Sequence, residues 1–230
     1  GTVPFSILAR HGFIAKTILL SLNKRDIISM NDVNHIQASI RTVASELVDD
    51  LRSMQRGTLS RVDFMERYGH LRPGTYDITS HRYNQMASFG NREPSPSNKQ
   101  LADDFELTAE QHQKIDNLLE EEGFLKLDAK KLMKYIREAI VGREYSKFVF
   151  TRSVSELLEL TAKFGENNGL SRDEMAHIPI GEMLNFATTS NEKSVRENLR
   201  EIAEREKMKH ALSVSIRLPQ VLFDEEGVYV

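Results

Sequence analysis

The chain has 230 residues, 40% of them hydrophobic and 28% charged, with a formal net charge of -3 and no cysteine. The length suits one large domain or two small ones with a core of their own, and the composition is ordinary for a globular protein. The charge balance argues against a chain built for nucleic acid, and without cysteine these residues support neither a disulfide nor thiolate chemistry, which fits a reducing compartment.

The elements can be read in chain order. Phe5, Leu8, Ile14, Ile18 and Leu22 recur at helical spacing and predict a helix over residues 4–24. Its most apolar run, Phe13 to Leu22, is interrupted by Lys16 and falls short of the ~20 apolar residues that span a bilayer. No secretory signal is recognisable, so the expectation is a soluble, cytoplasmic protein with no membrane partner. Asn31 reads as the cap of a second helix, on which Val33, Ile36, Ile40, Val43, Leu47, Leu51 and Met54 step by three or four to Gly57. Ser60, with Asp63 three residues on, starts a short helix to Tyr68.

Ser88 to Gln100 is rich in Ser, Asn and Pro and reads as a mobile loop. Thr108 and Gln111 form a capping box for a helix that ends near Gly123. Asp128 caps a helix of unusual length that reaches about Gly165 through Gly142. Ser171 and Glu174 cap another, Pro179 separates two short helices, and residues 192–212 form the last. Ser213 to Phe223 alternates and predicts a strand with Pro219 at an edge. The expected fold is mainly α, a helical bundle with one long helix and a small C-terminal β element, organised as a single domain over residues 1–230. The chain begins Gly1-Thr2 and stops in a strand-like "EEGVYV", so both ends read as cut from something longer, with a trimmed small protein as the alternative.

One stretch departs from this helical pattern. "YGHLRPGTYDITSHRY", Tyr68 to Tyr83, gathers two His, two Arg, one Asp and three Tyr around Gly69, Pro73 and Gly74. Arg72 and Arg82 are planar forks for carboxylate or phosphate, and His70 and His81 can titrate near neutral pH. Asp77 can orient a His, pair with an Arg or accept a hydroxyl proton. Tyr76 and Tyr83 add an apolar face with a polar tip. Such a set can bind an anionic or hydroxylated ligand, and it can equally lock a loop between helices. His70, Asp77 and His81 match no established metal-ligand spacing, so no metal is expected. The chain holds no nucleophile elbow and no phosphate-cradling glycine loop.

The same stretch resembles the Y-G-H-R-G-x-G-x-x-D-x-x-x-P-R-[WY] pattern of the phosphoenolpyruvate synthase and pyruvate phosphate dikinase-like family, which includes rifampin phosphotransferase. Tyr68, Gly69, His70, Gly74, Asp77, Arg82 and Tyr83 stand on family positions, whereas Leu71 replaces a usual Arg and His81 a usual Pro. "GREYSKFVFTR", Gly142 to Arg152, is similar to a helical R-E-x-x-[KR] stretch of the family, and it puts Arg143, Lys147 and Thr151 on one helix face. The resemblance implies the central helical domain of an ATP-dependent phosphotransferase that binds the small-molecule acceptor. An ATP-grasp domain with ATP and Mg and a phosphohistidine domain would lie outside this chain, which alone would be inactive. It further implies His70 and Asp77 as the catalytic pair, proton acceptor and orienter. Arg72, Arg82, Tyr83, Gly74, Arg143 and Lys147 would bind substrate or phosphate. A non-catalytic helical scaffold that docks neighbouring domains is the alternative.

Overall fold

A computed structural model of the chain describes residues 2–87, 89, 103–186 and 194–216. Nine α-helices occur among them: α1 (Thr2–Lys24), α2 (Met30–Ser39), α3 (Val43–Gln55), α4 (Arg61–Tyr68), α5 (Ala109–Glu121), α6 (Ala129–Asn167), α7 (Arg172–Ala176), α8 (Ile180–Phe186) and α9 (Val195–Ser215). One 3-10 turn among the described residues covers Tyr83–Gln85. The mainly α expectation holds, and among the described residues there is no strand. Ser213 to Ser215, expected to open a strand, form the last turn of α9, and residues 217–223 lie outside the described residues, as does most of the Ser88–Gln100 loop.

Helix starts follow local hydrogen-bond chemistry. The Thr108 hydroxyl accepts the Gln111 N–H at 3.2 Å while the Gln111 side chain accepts the Thr108 N–H at 2.9 Å. Ser171 and Glu174 repeat the arrangement on α7. Asp128 caps α6 by accepting the Lys131 N–H at 2.8 Å. Two details differ from the sequence reading. The cap of α2 is Ser29, reciprocally bonded with Asp32, and not Asn31. The expected single helix over residues 31–57 is also two, because Ile40 leaves helical geometry and Thr42 restarts the chain. The Thr42 N–H donates to Ser45 Oγ at 2.9 Å.

The chain clusters into two compact units. The first comprises Gly1–Arg72 and Arg82–Val154, and the second Pro73–His81 and Ser155–Val230. The first unit's core gathers Ala15, Leu19 and Leu22 of α1, Val33 and Ile36 of α2, Ile115 and Leu119 of α5, and Leu132 and Ile136 of α6. Phe5 stacks on Phe150 at 5.1 Å, while Gly12 lies against Arg143, so α1 and α6 run antiparallel. A Cβ on Gly12 would sit 2.6 Å from Arg143 Cδ, so a larger residue there would have to push the Arg143 side chain aside.

α1 is longer than the apolar run that suggested it. By length and composition it could cross a membrane, a test that the core helix of a soluble protein also passes. Within the first unit its inner face is committed to the core.

The second unit's core joins Ile78, Ala162, Leu170, Met175, Ile178, Leu199, Ile202 and Ala203. Arg172 ties this unit together. Its guanidinium donates to both carboxylate oxygens of Glu159, at 3.1 and 2.7 Å, and to the Ile78 carbonyl at 3.2 Å.

Ile136 is fully buried, so Ile136→Ala should cost about 2–5 kcal/mol by removing packed methyl groups and leaving a cavity. Lys134→Ala, on the exposed face of the same helix, should stay within about 0.5 kcal/mol of wild type. Urea denaturation followed by circular dichroism measures both.

Candidate functional site

The polar stretch is built on an aromatic floor in the first unit. Phe64 and Tyr68, four residues apart on α4, are both fully buried with ring centroids 5.0 Å apart. Tyr68 meets Phe148 of α6 edge-on at 5.9 Å. Tyr83 stacks on Phe89 at 4.2 Å, and Phe89 reaches Phe64 at 5.8 Å. Two backbone hydrogen bonds join the stretch's outgoing and returning arms. The Tyr83 N–H donates to the Leu71 carbonyl at 2.8 Å and the Asn84 N–H to the Gly69 carbonyl at 3.2 Å. Gly69 has to be glycine here, because a Cβ would collide with the Met65 carbonyl and stand 3.0 Å from Asn84 Cβ.

A chain of charge-assisted bonds fastens the same corner. The Tyr68 hydroxyl donates to Asp50 Oδ2 at 2.8 Å. Arg67 donates to that oxygen at 2.9 Å and to Glu46 at 2.6 Å. Burial first, then the bond to Asp50, pushes the Tyr68 phenol well above its ordinary pKa. Burial alone raises that of Tyr83.

His70 sits above this floor, half-buried, its ring edge-on to Phe148 at 4.8 Å. Loss of solvent is the largest influence on it and lowers its pKa from 6.5 to about 4. The positive charges of Arg152 and Arg82 push the same way, and a hydrogen bond to the Phe148 backbone opposes them. The imidazole is therefore neutral at physiological pH while two guanidinium charges bear on it. Arg152 lies 5.9 Å over the Phe148 ring and donates to the Arg67 carbonyl at 3.3 Å. Phe148 and Arg152 lie four residues apart on α6 and so share a face. Both fall in the Gly142–Arg152 stretch, but reading its stripe from Arg143 missed them. The signal was an aromatic and an arginine at i, i+4.

The other expected residues distribute as follows. Arg72 belongs to the same unit as His70 and is 5% exposed. A guanidinium that deep is held by protein groups before it meets any ligand. Arg143 stacks over the Phe13 ring at 4.9 Å and approaches Glu144 at 3.8 Å, so it serves the α1 contact. Lys147 is exposed, and Thr151 is buried with its hydroxyl on the Phe148 carbonyl at 3.0 Å, so the Arg143, Lys147, Thr151 stripe is not one open face.

Gly74, Asp77 and His81 belong to the second unit. There Asp77 Oδ1 accepts both the N–H and the hydroxyl of Thr79, at 2.8 and 2.7 Å, while the Gly74 N–H donates to Ser80 Oγ at 3.1 Å. These contacts make a turn, and Ile78 at its tip is buried in that unit's core. His81 and Tyr76 are exposed. No group of three or more His, Asp or Glu among the described residues could hold a metal ion. Comparison with protein-family models, curated proteins and solved structures finds no match to the chain.

The lowered pKa of His70 has a definite consequence for stability. Between pH 6.5 and about 4 the unfolded chain binds a proton at this residue that the native chain does not. Its contribution is complete above pH 6.5 and declines as the pH falls through that window. A series of melting temperatures from pH 7 to 4 should therefore fall more steeply for wild type than for His70→Gln. Parallel curves would mean that His70 titrates normally.

Proposed function

We propose that this chain is the acceptor-binding helical domain of a phosphoenolpyruvate synthase-like, ATP-dependent phosphotransferase. ATP and Mg would be handled by an ATP-grasp domain and the phosphoryl group delivered by a phosphohistidine domain, both outside these residues. The reading rests on the resemblance carried by Tyr68–Tyr83. The observation that supports it is a neutral His70 under the charges of Arg82 and Arg152, in a water-poor corner. Cations fixed in such a setting stabilise phosphoryl oxygens without reorganising during transfer. As the bond from phosphorus to the carrier nitrogen breaks and the bond to the acceptor oxygen forms, the acceptor loses a proton, and a neutral imidazole can take it. An arriving phosphoryl dianion offsets the two guanidinium charges and makes His70 more basic when that basicity is needed.

Titrating phosphoenolpyruvate into the chain while following the His70 ring by NMR tests this. The His70 pKa should rise from about 4 by a unit or more, and Arg82→Ala/Arg152→Ala should abolish the rise. In the full-length protein, Arg82→Ala should lower ATP-dependent phosphoryl transfer about 100-fold or more. A His70 signal indifferent to phosphoenolpyruvate, together with unchanged transfer in Arg82→Ala and His70→Ala, would sink the assignment.

The bonds among Tyr68, Asp50, Arg67 and Glu46 support a second reading, in which the stretch is a structural lock of a non-catalytic scaffold. It predicts that Arg82→Ala lowers the melting temperature by many degrees and spares phosphoryl transfer.

A further inference from the structure

We infer that the groove between α1, α5 and the start of α6 is a binding site for a neutral, apolar small molecule. It encloses about 560 Å³ and lies wholly in the first unit. Small-molecule sites typically occupy about 300–1,000 Å³ and are mostly apolar with a few polar groups. None of its lining residues belongs to Tyr68–Tyr83 or to Gly142–Arg152, so it is separate from the proposed phosphoryl site.

The floor is rigid. Leu22, Ile115, Leu119 and Leu132 line it and belong to the first unit's core, so the cavity is shaped by packed helices. The charge on the rim decides the class of occupant. Arg25 and Glu122, the charged residues on the lining, meet each other at 2.9 Å, so they present no net charge to a ligand. Ser21 lies exposed on the rim, and the other two polar residues of the lining are engaged. The Thr17 hydroxyl donates to the Phe13 carbonyl at 3.0 Å, and the Tyr135 hydroxyl lies 2.9 Å from His11 Nδ1. An ion entering here would lose hydration without meeting an unpaired charge, which disfavours charged ligands. A neutral apolar molecule loses only unfavourable contact with water. At the lip, Phe124 is 57% exposed, its backbone N–H held on the Leu119 carbonyl at 2.7 Å, and it would be covered by a molecule seated in the groove.

The test is fluorescence titration of the chain with the neutral dye N-phenyl-1-naphthylamine. Saturable, one-to-one binding is expected. Ser21→Trp and Thr17→Trp each add bulk from an exposed rim position and should weaken binding tenfold or more, with an unchanged circular dichroism spectrum confirming the fold. The sulfonated dye 1-anilinonaphthalene-8-sulfonate should bind at least tenfold more weakly than the neutral one. Absence of saturable binding, equal binding by both tryptophan variants, or equal affinity for the sulfonated dye would each overturn the inference. So would a concentration-dependent dimer that Ser21→Trp dissolves, because the groove would then be an interface between copies of the chain.

Discussion

One helix, α6, contributes buried residues to each of the two cores. α6 runs for 39 residues, and most of its stability comes from what packs on it. Its first turns give Ala129, Leu132, Met133, Ile136 and Ala139 to one core, and its last turns give Ala162 to the other. Between those stretches the buried positions turn polar. Ser146 and Thr151 satisfy themselves by donating to the carbonyls of Arg143 and Phe148. That middle segment also carries Phe148 and Arg152. Within the first unit, the candidate site therefore rests on a helix positioned by the apolar packing of its first turns, which is how a scaffold holds a polar constellation still.

The electrostatics of the corner follow from where the carboxylates go. Asp50 and Glu46 of α3 take Arg67 and the Tyr68 hydroxyl, so this network spends its negative charge on α4. Arg152 is directed to a backbone carbonyl and an aromatic face. His70, already short of water against Phe148, thus feels the positive charges of Arg152 and Arg82. Removing one charge from the imidazole is the cheapest response available to the fold, since an uncompensated buried cation costs more than a neutral ring.

Much of this was legible in the sequence, and the failures have physical causes. Capping boxes at Thr108 and Ser171 and the side-chain cap at Ser60 marked helix starts because they depend on side chains only three residues apart. The break between α2 and α3 was hidden because Ile36, Ile40, Val43 and Leu47 keep helical spacing across it, and hydrophobic periodicity does not register a turn that preserves phase. The end of α9 misled in the opposite sense, since Ser213 to Ser215 alternate like a strand yet continue a helix. At the site, the ionisable content of Tyr68–Tyr83 was visible, but its division was not. Pro73–His81 cluster with the second unit because Ile78 buries itself there, a tertiary preference that one residue's hydrophobicity does not announce. The groove between α1, α5 and α6 was equally invisible, since it exists only once three helices distant in sequence come together.

The lock and the site need not compete for the same residues. An oxyanion site works only if its cations are held in place before the ligand arrives, since cations that must be gathered from solvent spend the binding energy on reorganisation. The bonds that pin Tyr68 and Arg67 hold the aromatic floor, the floor dehydrates His70, and dehydration makes the two guanidinium charges count. Rigidity is then a precondition of the proposed chemistry, and a variant that loosens the floor would lose both together. What separates the readings is the protonation of His70, because a purely structural corner has no reason to couple that proton to an arriving phosphoryl charge, whereas a phosphoryl site cannot avoid doing so.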